Sequence, residues 1–319
     1  MAPAKETRMK MTAYRQMAAL ALSAACLAVS AGCASTPSDE DGRLKVLMIG
    51  NSFSLSNLGH LPPVAKGCGR KLDLGSLYIG GCSLQQHWAN IEAAATNSQF
   101  RPYRYDRYVD GKCFASHASR NIQEVLETER WDVVTIQQAS HESWKAESYS
   151  PFGDDLVAYI RAHAPQAKVV VQETWSYTPW DKRLSKWKIT PDEMYERLHA
   201  AYRAFAAKHG LEVIPMGTAV QEWRRKLPVR YTENSFGGDV VGGGRQSPKD
   251  HFKRNADNTW SPNCDVFHLN SRGQYFQALV WTAFLFGPSS LEGLEYRPEF
   301  VSESDARLMR ETAASVAAD

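Results

Sequence analysis

An α/β fold on a central parallel sheet of five strands is what this sequence predicts, and three observations predict it. Short apolar runs alternate with amphipathic stretches from Leu44 onward. Glycine or polar loops close three of those runs on their carboxyl side. Strands separated by helices imply βαβ units, parallel pairing and right-handed crossovers. With 319 residues, 43 % of them hydrophobic, the chain has ample apolar material for a full core.

The elements follow in order. "LKVLMIG" (44–50) is the first strand, "LDLGSLYIG" (72–80) the second and "WDVVTIQQ" (131–138) the third. "AKVVVQETW" (167–175) and "LEVIPMG" (211–217) are the fourth and fifth. "PFGDDLVAYIRAHAP" (151–165) is a helix between the third and fourth. In "PDEMYERLHAAYRAFAAKHG" (191–210) apolar residues recur at helical spacing, Pro191 and acids open the first turn, and Lys208, His209 and Gly210 close the last. Asp110-Gly111, inside the aromatic-rich stretch 101–116, predicts an inserted hairpin. Residues 228–262 hold "GGDVVGGGR" and exceed a simple connector, which predicts a lid-like insertion. "HLNSRGQYFQALVWTAFLFG" (268–287) is a last core helix starting near Ser271, and 291–319 reads as a C-terminal tail after a domain spanning 43–290.

The N-terminus belongs to targeting. Lys5, Arg8, Lys10 and Arg15 precede "MAALALSAACLAV" (17–29), an apolar run short for a membrane span. "SAGC" (30–33) and a polar linker (34–42) follow. The pattern resembles a bacterial lipoprotein signal over residues 1–33, with Cys33 as the lipid anchor; Ser30 stands where that motif usually has Leu, which leaves ordinary signal-peptide cleavage nearby as the alternative. The expectation is an exported protein, periplasmic or at the cell surface, tied to the membrane through Cys33. Export permits disulfides among Cys68, Cys82, Cys113 and Cys264, whose three possible pairings sequence does not separate. No Cys/His cluster has zinc spacing, so neither a metal nor another cofactor is expected. A formal charge of +2 without a basic stripe gives no case for nucleic acid.

Ligands of open parallel sheets bind beyond the carboxyl ends of strands. Gly50-Asn51-Ser52, Gly80-Gly81-Cys82 and Gln137-Gln138 all sit at such ends. A serine there becomes a nucleophile only with a base, and the base needs a third group to orient it. "CDVFHLN" offers both: Asp265 and His268, three apart in a turn, let the carboxylate fold back on the imidazole while the other ring nitrogen faces outward. The alternative for Ser52 alone is a turn residue ending the first strand.

Together "IGNSFS", "IGGCS", "QQASH" and "DVFHLN" resemble the block pattern of the SGNH (GDSL-type) hydrolases, and "YIGGCSLQQHW" and "IPMGTAVQ" resemble an exported bacterial branch of it. The resemblance covers roughly residues 43–287. It implies a flavodoxin-like three-layer α/β/α sandwich and metal-free ester hydrolysis. Ser52 matches the family nucleophile, and His268 and Asp265 match its base and acid. The second-block glycine falls at Gly80 or Gly81, of which Gly81 is favoured as the oxyanion donor beside the Ser52 amide. Asn51 stands where the family usually has Asp. In the third block Ala139 and His141 replace the usual glycine and asparagine, so either Gln138 or His141 would complete the oxyanion hole.

Trp144, Trp175, Tyr177 and Trp180 follow the third and fourth strands, and Trp260 precedes the Asp265–His268 turn. Aromatic faces beside polar groups suit sugar rings, the alternative being loop packing. Trp88, Trp131, Trp223 and Trp281 read as core. The expected substrate contacts are Asn51, Trp144, Trp175, Tyr177 and Trp260. The expected activity is removal of O-acyl groups, such as acetyl, from a glycan. A non-catalytic glycan-binding protein of the same fold and a lipid esterase are the alternatives.

Overall fold

The computed structural model describes residues 41–228, 231–244 and 248–319; the signal-like segment and Cys33 lie outside them. Strand β1 (Arg43–Gly50) pairs in parallel with β2 (Lys71–Tyr78) on one side and β5 (Val133–Ile136) on the other. β6 (Lys168–Gln172) and β7 (Glu212–Ile214) extend the parallel set beyond β5. These are the five expected strands, in the spatial order of a flavodoxin-like sheet. Val46, Leu47, Met48 and Ile49 of β1 are buried on both faces, as a central parallel strand requires.

The expectation of a five-stranded sheet is corrected to seven. β3 (Tyr103–Val109) and β4 (Lys112–Arg120) add antiparallel to the free edge of β2, giving a mixed sheet ordered β4-β3-β2-β1-β5-β6-β7. The predicted turn is present: Asp110 and Gly111 have φ of 48° and 78°, the two left-handed residues of a tight hairpin. An isolated hairpin is marginal in water, whereas the open edge of β2 offers it a row of unpaired backbone groups.

Right-handed crossovers decide the layers. The chain moves one way from β1 to β2 and the other way from β2 to β5, β6 and β7. Helix α2 (Leu61–Gly67) therefore lies on one face of the sheet. Helices α3 (Leu84–Thr96), α4 (Ile122–Thr128), α5 (Phe152–His163) and α7 (Pro191–His209) lie on the other, the short α6 (Lys182–Trp187) preceding α7 in the chain. On the first face α9 (Ser271–Phe286) packs against α2, α8 (Met216–Lys226) and α10 (Glu303–Ala318). Helix α7 carries the full set of end signals: Thr190 and Glu193 form a reciprocal cap, Pro191 opens it and Gly210 closes it at φ 61°. Residues 291–319, expected as a tail, instead supply α10, whose Ala306, Met309, Ala313 and Val316 form one buried stripe against α8 and α9. Cys68, Cys82, Cys113 and Cys264 are all free thiols, so the permitted disulfides do not form among the described residues. No helix of the described residues is long and apolar enough to cross a membrane.

Candidate active site

The end of β1 delivers Ser52 to the edge of the sheet where its strand neighbours diverge. Gly50 is required there, because a Cβ would lie 2.6 Å from Ser54 Oγ and 3.2 Å from Gln137 Cδ. Asn51 then caps the short helix α1 (Ser52–Leu55), its Oδ1 accepting from the Phe53 amide at 3.0 Å. Asn51 Nδ2 donates to the Cys82 carbonyl at 3.0 Å. Asn51 is buried, with Oδ1 accepting from the Phe53 amide and Gln137 and Nδ2 donating to Cys82, so the expectation that it contacts substrate is corrected. The same bonds explain why asparagine stands here: an ionised aspartate has no N–H for the Cys82 carbonyl.

Ser52, His268 and Asp265 come together in one chain. Ser52 Oγ lies 2.8 Å from His268 Nε2, and His268 Nδ1 lies 2.6 Å from Asp265 Oδ2. Asp265 Oδ1 accepts the amides of Phe267 and His268, both at 2.8 Å. Burial alone would raise the Asp265 carboxyl, but the hydrogen bonds from His268 and these two amides outweigh it and hold it down to about 2. The turn predicted from a three-residue spacing is thus closed by the carboxylate itself.

The loop carrying the base is braced from two sides. The Thr178 amide and hydroxyl donate to the Val266 carbonyl at 3.3 and 2.7 Å, and Trp175 Nε1 donates to the Phe267 carbonyl at 2.9 Å. From the glycine-rich insertion, the Gly242 and Gly243 amides donate to the His268 and Asp265 carbonyls, each at 2.9 Å. Val241 bridges Leu269. Both glycines have φ near 84° (85° and 83°), and a Cβ on either would strike Phe236 or His251. The expected lid is therefore, over 239–243, a scaffold for the Asp265–His268 loop; the rest includes a short hairpin of β8 (Phe252–Arg254) and β9 (Trp260–Pro262).

Two backbone amides are available to an oxyanion. Neither the Ser52 amide nor the Gly81 amide has an acceptor among the described residues. Gly81 follows β2 at φ 63° and is exposed, in the left-handed region that favours glycine. Gln138 is excluded as a third donor: its Oε1 accepts from Leu84 and Ala139, and its Nε2 donates to the Ser148 carbonyl and hydroxyl. It ties α3 to the loop after β5 and is buried. His141 stays half-exposed, with Nε2 no nearer than 4.0 Å to Glu142. Burial lowers its basicity, Glu142 opposes that, and Arg183 and Lys145 add to it.

Of the expected substrate aromatics, two are corrected. Trp175 and Tyr177 are fully buried: Trp175 stacks on Phe53 at 4.2 Å, and the Tyr177 hydroxyl pairs with Ser140 Oγ at 2.7 Å. They support the site from beneath. Trp144 and Trp260 are half-buried, Trp144 against Trp187 at 5.2 Å and Trp260 within β9. Trp180 packs among Tyr231, Phe236 and Phe252 inside the insertion. Residues not anticipated from sequence are Phe267, which touches His268 at 4.1 Å, and Arg183, whose guanidinium lies over Tyr177 and Phe267 while paired to Asp181. A cleft of about 500 Å³ opens beside the Gly81 turn, lined by Ser83, Gln85, His141, Glu142, Lys145 and neighbouring polar groups.

A crystal structure of a DUF4886 family protein from Bacteroides uniformis ATCC 8492 is similar at 27 % identity and a TM-score of 0.69, covering 86 % of this chain and 94 % of that one. An acetyl xylan esterase, AlAXEase, aligns at 12 % identity and a TM-score of 0.43 over 75 % of this chain and 99 % of its own. A member of the lipolytic G-D-S-L family from Veillonella parvula DSM 2008 aligns at 16 % identity and a TM-score of 0.37, over 75 % and 96 %. No curated protein matches the sequence. The family model "Domain of unknown function (DUF4886)" matches residues 45–239, ending before Asp265 and His268. With well over half of its length under that model, the chain belongs to the DUF4886 family.

Proposed function

We propose that this protein is an exported serine esterase of SGNH type that removes O-acyl groups, such as acetyl, from a glycan. The observation that carries the reading is the continuous hydrogen-bonded chain from Ser52 Oγ through His268 to Asp265, made by residues 213 or more positions apart in sequence on one side and three on the other. In this reading His268 Nε2 takes the Ser52 proton as Oγ attacks the ester carbonyl. The ionised Asp265 holds the Nδ1–H tautomer and steadies the imidazolium. The Ser52 and Gly81 amides receive the oxyanion, where one such donor contributes roughly 3 kcal/mol in other enzymes. His268 then protonates the leaving sugar hydroxyl, and water repeats the cycle on the acyl-enzyme. The polar cleft by Gly81, with His141 on its wall, would seat the glycan.

Hydrolysis of p-nitrophenyl acetate by the wild type and by Ser52→Ala tests this. The expected outcome is turnover that falls by at least about 10³-fold in the variant. Equal rates, or no turnover by the wild type, would defeat the proposal. A second reading, a glycan-binding protein without turnover, is favoured by one feature: Gln138 is locked to Leu84, Ala139 and Ser148 and cannot serve as a third oxyanion donor. Binding of acetylated oligosaccharide without hydrolysis would select it.

A further inference from the structure

Behind the nucleophile runs a row of side-chain amides with no part in the chemistry above. Gln137 and Gln172 come from the ends of β5 and β6 and Gln277 from the middle of α9, and all three are buried. Gln137 Nε2 donates to Asn51 Oδ1 at 2.6 Å. Gln172 Nε2 donates to Gln137 Oε1 at 2.9 Å and to the Phe53 carbonyl at 3.2 Å. Gln277 Nε2 donates to the Phe53 carbonyl at 2.8 Å and to Gln172 Oε1 at 3.4 Å, and Ser56 Oγ donates to Gln277 Oε1 at 2.6 Å.

The row has one direction. The Phe53 amide can only donate and the Cys82 carbonyl can only accept, so Asn51 must turn its oxygen to the first and its nitrogen to the second. Gln137 must then present nitrogen to Asn51 and oxygen to Gln172, and the same constraint passes on to Gln277 and Ser56. At the other end the row terminates on Cys82, next to Gly81. That end needs holding: a Cβ on Gly81 would meet nothing within 4 Å, so no packing pins the turn at that residue. Its restraints are the bond from the Cys82 amide to the Ile79 carbonyl at 3.3 Å, burial of the Cys82 thiol beside His87, and the Asn51 tether.

We propose that Gln137, backed by Gln172 and Gln277, is a positioning residue that locks the Asn51 amide in the orientation tethering Cys82, and so holds the Gly81 amide in place for the oxyanion. Its consequence for rate rests on the esterase reading; its consequence for the Gly81 turn does not.

Gln137→Glu tests it with almost no change of shape. A protonated Glu at 137 donates an O–H to Asn51 Oδ1 as the glutamine does. An ionised one can only accept, so it sets an oxygen against Asn51 Oδ1 and drives the amide to turn its nitrogen toward residue 137 and away from Cys82, against the pull of the Phe53 amide. The carboxyl is buried, which raises its titration toward neutrality. The titratable groups around the row are His268 and Asp265 beyond Ser52, Cys82 and His87 at the tethered end, Tyr202 against the Gln138 amide, and Glu173, which follows Gln172 and pairs with His199. A serine activated by a neutral imidazole works better as pH rises, so the variant's expected slope has the opposite sign. For p-nitrophenyl acetate, kcat of Gln137→Glu should fall about tenfold or more between roughly pH 5 and pH 8, reversibly and with KM within about twofold. The Gly81 backbone amide resonance should move with the same midpoint. A Gly81 resonance that ignores pH in the variant, with kcat rising with pH as in the wild type, would overturn the proposal. If the wild type turns over no ester, the esterase reading fails and the resonance alone decides: movement with pH supports the tether, a stationary signal overturns it. Gln172→Glu, one step further from Asn51, should show the same pattern more weakly and covers the case where Gln137→Glu does not fold.

Discussion

The proposed nucleophile, Ser52, and its proposed base, His268, are held in opposite ways. Ser52 hangs from a fully buried strand end, with Asn51, Gln137 and Gln172 behind it in the core. His268 and Asp265 sit in a loop with about a third of each side chain exposed (34 % and 32 %), held by backbone bonds from residues 175–178 and 239–243. The position of the nucleophile is thus a property of the sheet, and the position of the base is a property of the insertion. Changes around Ser52 should act with the stability of the whole domain, whereas changes around His268 can release the base while the domain stays folded.

The largest expected break falls on the base itself. Asp265→Asn keeps the acceptor for the Phe267 and His268 amides but destabilises the tautomer that leaves Nε2 free for Ser52. A loss of about 10²–10⁴ in kcat with nearly unchanged melting is expected in ester hydrolysis. The pH sign follows from the depressed carboxyl. Asp265 contributes fully above its ordinary value of 3.8, and its contribution is lost only as pH falls toward about 2. A wild-type activity loss between about pH 4 and 6 therefore belongs to other groups, and Asp265→Asn should leave the shape of that limb unchanged. A limb that disappears in the variant would contradict this assignment.

The next break separates the two supports. Arg224 on α8 is fully buried, donating to Asp239 Oδ2 at 3.0 Å and to the Ser176 hydroxyl and carbonyl at 2.6 and 3.1 Å. One side chain therefore clamps both segments that brace the base. Arg224→Met leaves the Asp239 carboxylate buried without its partner, a change that costs about 3–5 kcal/mol. Urea unfolding should register that loss. In sub-denaturing urea, activity should fall before the far-ultraviolet circular dichroism does, because the base loop loosens first. Coincident loss of both signals would show that the loop is no more independent than the strand end.

The comparison also explains what the sequence discloses. Elements written in local code are legible: Asp110-Gly111 for the hairpin, Thr190, Pro191 and Gly210 for α7, Asp265 and His268 for the catalytic turn. Each needs only neighbours a few positions away. The attachment of the hairpin to β2 depends on a free strand edge 36 residues away in the register Asp73↔Val109 and is not written in either segment. Trp175 and Tyr177 follow β6 on the correct edge of the sheet, but their direction depends on which face of an extended segment turns inward. Gln137 and Gln172 stand 35 positions apart and Gln277 another 105 further on, and they acquire meaning only as partners of one another. The helix α10 was hidden for a different reason: its inward stripe is largely alanine, which gives little hydrophobic contrast.

The smallest expected effect sharpens the same contrast at one atom. Trp175 touches both halves of the site, its ring stacked on Phe53 beside the nucleophile and its indole N–H bonded to the Phe267 carbonyl beside the base. Trp175→Phe retains an aromatic face against Phe53 and removes the N–H. Leaving that carbonyl without its donor costs about 1 kcal/mol, and the remaining Thr178 bonds keep the loop in place. A fall of a few-fold in kcat, KM unchanged, and a melting shift of about 2–4 °C are expected for a domain of this size. Trp175→Leu removes the stack as well and should cost several times more in stability, about 3–5 kcal/mol at the upper end for a buried tryptophan cut back further to alanine. Equal stability losses in the two variants would mean that the indole hydrogen bond, and not the stack on Phe53, is what Trp175 contributes, and that the base loop is anchored more firmly than its exposure implies.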